Sequence, residues 1–318
     1  MYQIIVNPGA RSGSGKRTWE RIQQILDKKN IPYDVHITTS RQDASEYSCA
    51  LYNEYLEKKE PLHLVVLGGD GTMNAIIQGL PSLDNVALST IPVGSSNDLA
   101  RALGISFTPD EAIEHLTSKP TTLYMDYGMV HMENTLTPEA PAIPDKPFLV
   151  STGLGYDAAV CVGANTSGFK RMLNKVGLGK LTYLFVSIKK IFSTTYCDAD
   201  LYLDDSETPI HIERMLFVAA MNNKYEGGGF MFAPDASNYD GILNLCSVSG
   251  MSRFRVLLTL PHGLKGDHFR FDGIDEYKAH SYTLKTSEPL YIHTDGETFD
   301  KVDLIRVSCH KESVRIIY

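Results

Sequence analysis

The sequence predicts two domains of different class: an α/β N-terminal domain over residues 1–125, with a Rossmann-like parallel sheet, and a mainly antiparallel β-sandwich over 126–318. At 318 residues the chain exceeds the roughly 100–200 residues of one domain. Strand and helix periodicities alternate through the first third, which implies a mostly parallel sheet with helices on both faces. After about Tyr124 come short alternating runs divided by Gly, Pro, Asn and Asp clusters, the pattern of a sandwich or distorted barrel.

The elements of the first domain follow in order. Tyr2–Val6 is a strand broken by Asn7-Pro8, and a Gly/Ser loop runs from Gly9 to Gly15. Trp19, Ile22, Ile25 and Leu26 then recur at helical spacing. Tyr33–Ile37 alternates as a strand, and residues 41–59 read as a helix. Leu62–Leu67 is a buried strand, Thr72–Leu80 a helix, Val86–Ile91 a strand and Asn97–Leu103 a helix. In the second domain the strand-like runs are Tyr124–Val130, Ala199–Leu203, Met215–Met221, Ile242–Val248, Ser281–Leu284 and Leu290–His293. Helical stretches interrupt them near 170–192 and 252–263. The Pro-rich segment Thr137–Pro147 reads as a surface excursion. The last residues are candidates to return to the first domain.

Composition excludes some classes. Hydrophobic content of 43% with 21% charged residues is that of a globular chain, not a disordered one. A net charge of −8 argues against nucleic acid as partner. It leaves room for a locally basic face on a membrane. Cys49, Cys161, Cys197, Cys246 and Cys309 are scattered and odd in number, which suits free thiols in a reducing compartment. The first residues lack the basic and apolar regions of a signal peptide. No apolar run reaches the roughly 18 residues of a membrane span. The expected location is cytoplasmic. Oligomeric state is left open.

The strongest motif is Gly68-Gly69-Asp70-Gly71-Thr72, between an apolar strand and a helix. Such a turn lets backbone N–H groups approach phosphate oxygens. Asp70 cannot favour a bare phosphate, but it fits if Mg²⁺ bridges it to a nucleotide. The plainer reading is a tight turn with a helix cap. The loop from Asn7 to Lys16 is not a Walker A motif, because Ala10 and Arg17 stand where Gly and Ser/Thr are needed. It remains either a looser phosphate contact or a flexible loop. Pro92-Val93-Gly94-Ser95-Ser96-Asn97-Asp98 is a third strand-to-helix turn. Turns at the carboxyl ends of neighbouring parallel strands converge on one crevice.

Later motifs are each double-edged. Asp295-Gly296-Glu297 follows a strand-like run and is either a hairpin or a carboxylate aimed into a cleft. Asp240-Gly241 is either a hairpin signal or part of an oxygen cage for a hard cation. The stretch from Ala158 to Cys197 has no Asp or Glu but carries Lys170, Arg171, Lys175, Lys180, Lys189 and Lys190. Leu181, Leu184, Phe185, Ile188 and Ile191 make it an amphipathic helix, either core-packed or docked on anionic lipid. His262 and His268 lack the spacing of a zinc site.

The glycine turn, preceded by Asn7-Pro8 and followed by the Pro92–Asp98 turn, resembles the diacylglycerol kinase catalytic fold that bacterial lipid kinases share with sphingosine kinases. Gly153-Leu154-Gly155-Tyr156-Asp157, Gly227-Gly228-Gly229, Pro234-Asp235-Ala236, Tyr239–Leu243 and Asp295–Glu297 agree in order, almost end to end. The resemblance implies a Mg²⁺-ATP-dependent transferase that makes phosphatidic acid from diacylglycerol in phospholipid biosynthesis. It implies a lipid substrate and peripheral membrane association during turnover. ATP would be surrounded by Asn7, Pro8, Gly9, Ala10, Arg11, Thr39, Gly68, Gly69, Asp70, Gly71, Thr72, Met73, Asn74, Ser95 and Asn97. Asp70 would face Mg²⁺-ATP, Glu297 would be the base, and Asp126 would brace the site. Asp240, with the carbonyls of Ser237 and Ile242, would hold a second, structural Mg²⁺. Ala75 and Ser95 depart from the family, which often has an acidic residue and Thr there. An NAD kinase-like small-molecule kinase and a non-catalytic lipid-sensing protein of the same fold are the alternatives.

Overall fold

A computed structural model describes residues 1–94, 96–105, 108–166 and 179–318, with the backbone alone for 165, 166 and 179–185. Ser95, Lys170, Arg171 and Lys175 lie outside the described residues, as do the side chains of Lys180, Leu181, Leu184 and Phe185. Two compact units are present: Met1–Asp126 with Lys311–Tyr318, and Tyr127–His310.

The first unit contains β1 (Tyr2–Val6), α1 (Ala10–Lys28), β2 (Tyr33–Ile37), α2 (Arg41–Lys58), β3 (Leu62–Gly68), α3 (Asp70–Gly79), β4 (Val86–Pro92), α4 (Asp98–Ala102) and α5 (Pro109–Ser118). It also holds the start of β5 (Thr122–Glu133) and the end of β13 (Glu297–Ile317). β1 pairs in parallel with β2 (Ile4↔Val35) and β3 (Ile5↔Val66). β4 pairs in parallel with β3 (Thr90↔Val66) and with the end of β13 (Leu88↔Ile316). Every strand in these pairs therefore presents its carboxyl end to the same edge of the sheet. In α1, Trp19, Ile22 and Leu26 fall on one stripe and pack with Val65, Leu67, Ile91 and Ile113. Each such side chain contributes roughly 1.5–3 kcal/mol by leaving water.

From the sequence no helix is placed at α5, Pro109–Ser118. Its start has a capping box, in which Thr108 and Glu111 satisfy each other's backbone N–H groups, with Pro109 in the first turn. Thr121 and Tyr318 exchange backbone hydrogen bonds of 2.7 and 3.0 Å, which fastens the C-terminus into this unit.

The second unit contains the rest of β5 and β13 with β6 (Ile143–Phe148), β7 (Ser151–Gly155), α6 (Tyr156–Thr166), α7 (Gly179–Ser193), β8 (Cys197–Leu203), β9 (Ile210–Met221), β10 (Leu243–Ser249), α8 (Arg253–Gly263), β11 (Ile274–Ala279) and β12 (Ser281–Thr294). The strand order is β11-β10-β9-β7-β12-β13, with β8 bonded to β9 and β12. The registers of these strands are antiparallel. Along β9, Met215, Val218 and Ala220 join a core with Leu201, Ile292 and Ile305. Leu216, Phe217, Ala219 and Met221 face the other way, into a core with Tyr156 of α6, Ile191 of α7 and Val256 of α8. Both faces are covered, so Met215–Met221 reads as one apolar run.

The Pro-rich segment needs correction. Its end, Ile143–Phe148, is strand β6, paired with β5 (Phe148↔Gly128). A Cβ at Gly128 would lie 1.9 Å from the Phe148 ring, so only glycine admits that pairing. All five cysteines are free. Among the described residues no helix is long and apolar enough to cross a membrane.

Candidate functional site

In the first unit the loops after β1, β3 and β4 stand side by side, because those strands are neighbours and parallel. The Asn7 side chain accepts from Gly9 N–H (3.0 Å) and donates to Thr72 Oγ1 (2.9 Å), tying the first loop to the first turn of α3. The other two loops press together. A Cβ on Gly69 would sit 2.7 Å from Gly94 Cα, and one on Gly94 would sit 2.6 Å from Gly69 Cα. No other residue fits at either position.

Asp70 lies at the start of α3, and its carboxylate is turned toward α4. Oδ2 accepts from Asp98 N–H at 3.0 Å and Oδ1 from Leu99 N–H at 3.1 Å. A carboxylate has about four lone-pair sites, so two remain for another ligand. Asn97, in left-handed backbone (φ 51°), donates to Gly94 O at 3.2 Å. Its Oδ1 is buried and has no hydrogen-bond partner. Gly69, Asp70, Met73, Thr90, Asn97, Leu99 and Ala100 line a cavity of about 10 Å³, enough for one water.

The loop after β1 is the strained part. Arg11 (φ 45°), Ser12 (φ 58°) and Gly13 (φ 93°) are successive left-handed residues at the head of α1. For a non-glycine residue this costs roughly 1–2 kcal/mol. Strain of that kind is retained where the backbone is needed in an unusual pose. The glycine contact and the left-handed loop fit phosphate bound through backbone N–H groups, whereas the orphaned Asn97 oxygen, an acceptor, suits a cation or a donor group and not a phosphate oxygen.

The other nucleotide candidates are placed less uniformly. Asn74 is buried and accepts from Arg41 at 3.1 Å. Pro8 O accepts from Lys16 N–H, and Ala10 and Met73 are buried. Thr39 gives both its N–H and its hydroxyl to Asp43, at 2.6 and 3.0 Å. The Thr39 N–H bond and the His36 ring hold the Asp43 carboxyl below its usual range. Asp126 is fully buried and accepts Glu312 N–H at 2.7 Å, joining β5 to the C-terminal strand.

In the second unit, Asp295 and Gly296 (φ 47° and 81°) form the two-residue turn between β12 and β13, with Thr294 opposite Glu297. Two positive φ angles define the hairpin turn that suits twisted strands. Asp295 fastens the turn by accepting from Leu149, Val150 and Ser151 N–H at 3.0, 2.8 and 3.0 Å. Glu297 is half-buried at the start of β13. Just beyond it, Tyr291, Thr298, Phe299 and Asp300, with Ile143 and Val162, line a cavity of about 430 Å³.

One contact beside this turn, between His293 and Asp157, is absent from the sequence reading. His293 is fully buried, with Nε2 3.0 Å from Asp157 Oδ2 and Nδ1 accepting Gly296 N–H at 3.2 Å. Alternation on β12 places His293 on the face of Tyr291, opposite the buried Leu290 and Ile292, so neither its burial nor its pairing with Asp157 is legible in the sequence. Asp240 is exposed and accepts Ile242 N–H at 3.0 Å, an Asx turn leading into β10. Ser237 and Ile242 are half-buried beside it. Among the described residues no group of three His, Cys, Asp or Glu is gathered for a metal.

The model of the diacylglycerol kinase catalytic domain matches residues 1–130, and that of the YegS C-terminal NAD kinase beta sandwich-like domain matches 150–318. A diacylglycerol kinase of Bacillus subtilis (strain 168) is 28% identical over 93% of this chain and 89% of its own. A diacylglycerol kinase of Mycobacterium tuberculosis (strain H37Rv) is 25% identical over 74% and 70%. A solved diacylglycerol kinase structure from Bacillus anthracis str. Sterne matches the fold with a TM-score of 0.68, at 20% identity, over 100% of this chain and 96% of that one.

Proposed function

Because the chain belongs to the diacylglycerol kinase catalytic-domain family, we propose that it transfers the γ-phosphoryl group of ATP to the hydroxyl of diacylglycerol. It is an enzyme of the lipid-kinase type. The observation that supports the transfer best is the Gly69–Gly94 contact, capped by Asp70 and strained at Arg11–Gly13. Backbone N–H groups of Arg11, Ser12 and the first turn of α3 bind phosphate. Asn7 keeps the first loop against α3, and the buried Asn97 oxygen, an acceptor, suits a donor group of the nucleotide or the cation. Asp70 holds Mg²⁺ with the lone pairs that α4 leaves it; the cation, when bound, neutralises charge on the phosphate oxygens. Glu297 accepts the proton of the lipid hydroxyl. Asp126 braces β5 against the C-terminal strand.

Membrane contact is part of the reading. Phe254 and Leu258, one turn apart on α8, are 66% and 62% exposed, and Phe192 and Leu264 are exposed as well. Exposed Lys189, Arg255 and Lys265 accompany them. Lys190 is less available than the sequence suggests, because its stem lies along Gly163. This face suits an anionic bilayer. The test is transfer of labelled phosphate from ATP to diacylglycerol, sphingosine or undecaprenol in vesicles, and to NAD in water. Diacylglycerol takes the label, faster as anionic lipid rises and slower as salt screens charge beyond about 8 Å. Label on NAD alone overturns the reading.

A structural Mg²⁺ held by Asp240 and the carbonyl oxygens of Ser237 and Ile242 belongs to the same proposal. One carboxylate with carbonyl oxygens is a donor set for a hard cation. A ligand that binds only the folded state stabilises it by about 2.7 kcal/mol at a hundred times its Kd. Asp240→Ala is expected to lower the melting temperature and abolish its rise with added Mg²⁺. An unchanged Mg²⁺ dependence reduces Asp240 to its Asx turn.

A further inference from the structure

We infer that His293 is a positioning residue for the turn that carries Glu297: it accepts Gly296 N–H at Nδ1 while donating from Nε2 to Asp157, and it holds the turn only as a neutral imidazole. The inference rests on Glu297 as base. Three observations support it. His293 is fully buried, and Gly296 N–H reaches its Nδ1 at 3.2 Å. Nε2 lies 3.0 Å from Asp157 Oδ2, in the first turn of α6, and 3.5 Å from Glu226 Oε1, in the segment after β9. A Cβ on Gly153 would fall 1.7 Å from Asp157 Oδ2, so glycine in β7 makes room for that carboxylate. An imidazole that accepts at Nδ1 must carry its proton at Nε2, the nitrogen facing the carboxylates. A second proton turns Nδ1 into a donor and breaks the bond to Gly296.

The charges around His293 decide when this happens. Burial alone would lower its pKa, but Glu226, Asp157 and Asp295 overcome burial and raise it from 6.5 to about 9. The charged imidazole therefore stabilises the fold below pH 6.5, and that stabilisation is lost as pH rises through about 9. The Gly296 bond forms over the same interval. Stability and turn positioning then change in opposite directions, which a merely structural histidine would not do.

The experiment follows the ¹⁵N-glycine amide signal of Gly296, the melting temperature and kcat on diacylglycerol vesicles across this pH range. In the wild type the Gly296 signal titrates, kcat rises and melting temperature falls with one midpoint. H293Q keeps a donor near Nε2 and loses the acceptor; kcat drops about 10²-fold, the scale of a displaced reacting group. H293N keeps an acceptor near Nδ1, recovers part of that loss and shows no rise with pH. Should H293Q not fold, D157N still reports, by moving the midpoint to lower pH. A Gly296 signal that does not titrate, or equal loss in H293Q and H293N with the rise in kcat retained, overturns the inference. A titrating Gly296 signal with near-normal kcat in E297Q instead overturns Glu297 as base.

Discussion

Asp70→Ala is expected to bring phosphoryl transfer below detection and to lower the melting temperature. Both effects follow from one carboxylate. Its oxygens accept the N–H groups of Asp98 and Leu99 at 3.0 and 3.1 Å, and these two bonds hold the head of α4 to the head of α3. A hydrogen bond to a charged group contributes about 1.5–3 kcal/mol, and alanine leaves both donors without that acceptor. The Gly94–Asn97 loop loses its tie to Gly69, and the cation loses a ligand. Asp70→Asn separates the effects. The amide oxygen keeps one N–H acceptor, so most stability returns, but the negative charge does not. Turnover should stay at least about 10²-fold down in this variant, as for loss of a preorganised electrostatic group. Near-normal turnover of Asp70→Ala at saturating Mg²⁺-ATP shows that Asp70 only caps α4.

How far the sequence disclosed this protein depends on where each element keeps its information. β3 was legible because Leu62 and Leu64–Leu67 are buried together, and a short apolar run bounded by turn residues marks a strand covered on both faces. β6 was hidden by Pro144 and Pro147, which occupy a strand only where their missing N–H groups are not needed. α6 was hidden by Ala158, Ala159, Gly163 and Ala164, small residues that pack closely but give little hydrophobic contrast. β13 was hidden by alternating charge, from Asp300 and Lys301 to Asp303 and Arg306.

The candidate site divides the same way. Glycines at 69 and 94 announce a crowded backbone, so the turns could be read. The partners of Asp70 are main-chain N–H groups, which every residue but proline carries, so their use leaves no trace in the side-chain pattern. The His293–Asp157 contact spans 136 residues and depends on β7 and β12 being neighbours. Sequence order offers no hint of that adjacency. The nucleotide candidate Thr39 donates its hydroxyl to Asp43, a local bond that the sequence does not mark.

Glu297→Gln is expected to lower kcat by about 10²–10⁴, the usual contribution of a general base, with KM for ATP little changed. The substitution is a clean one because the turn is set elsewhere. Asp295 grips three N–H groups, so glutamine inherits the same backbone position. What disappears is the capacity to take a proton. In phosphoryl transfer most of the barrier is lowered by positioning and electrostatics, which is why the loss is bounded and not total. Glu297→Asp keeps the carboxylate but withdraws it by one methylene, and its kcat should fall between glutamine and wild type. That ordering distinguishes proton acceptance from packing, since a packing role would rank the isosteric glutamine above the shorter aspartate. A defect confined to KM for ATP would place Glu297 in nucleotide binding and leave the lipid hydroxyl without an assigned base.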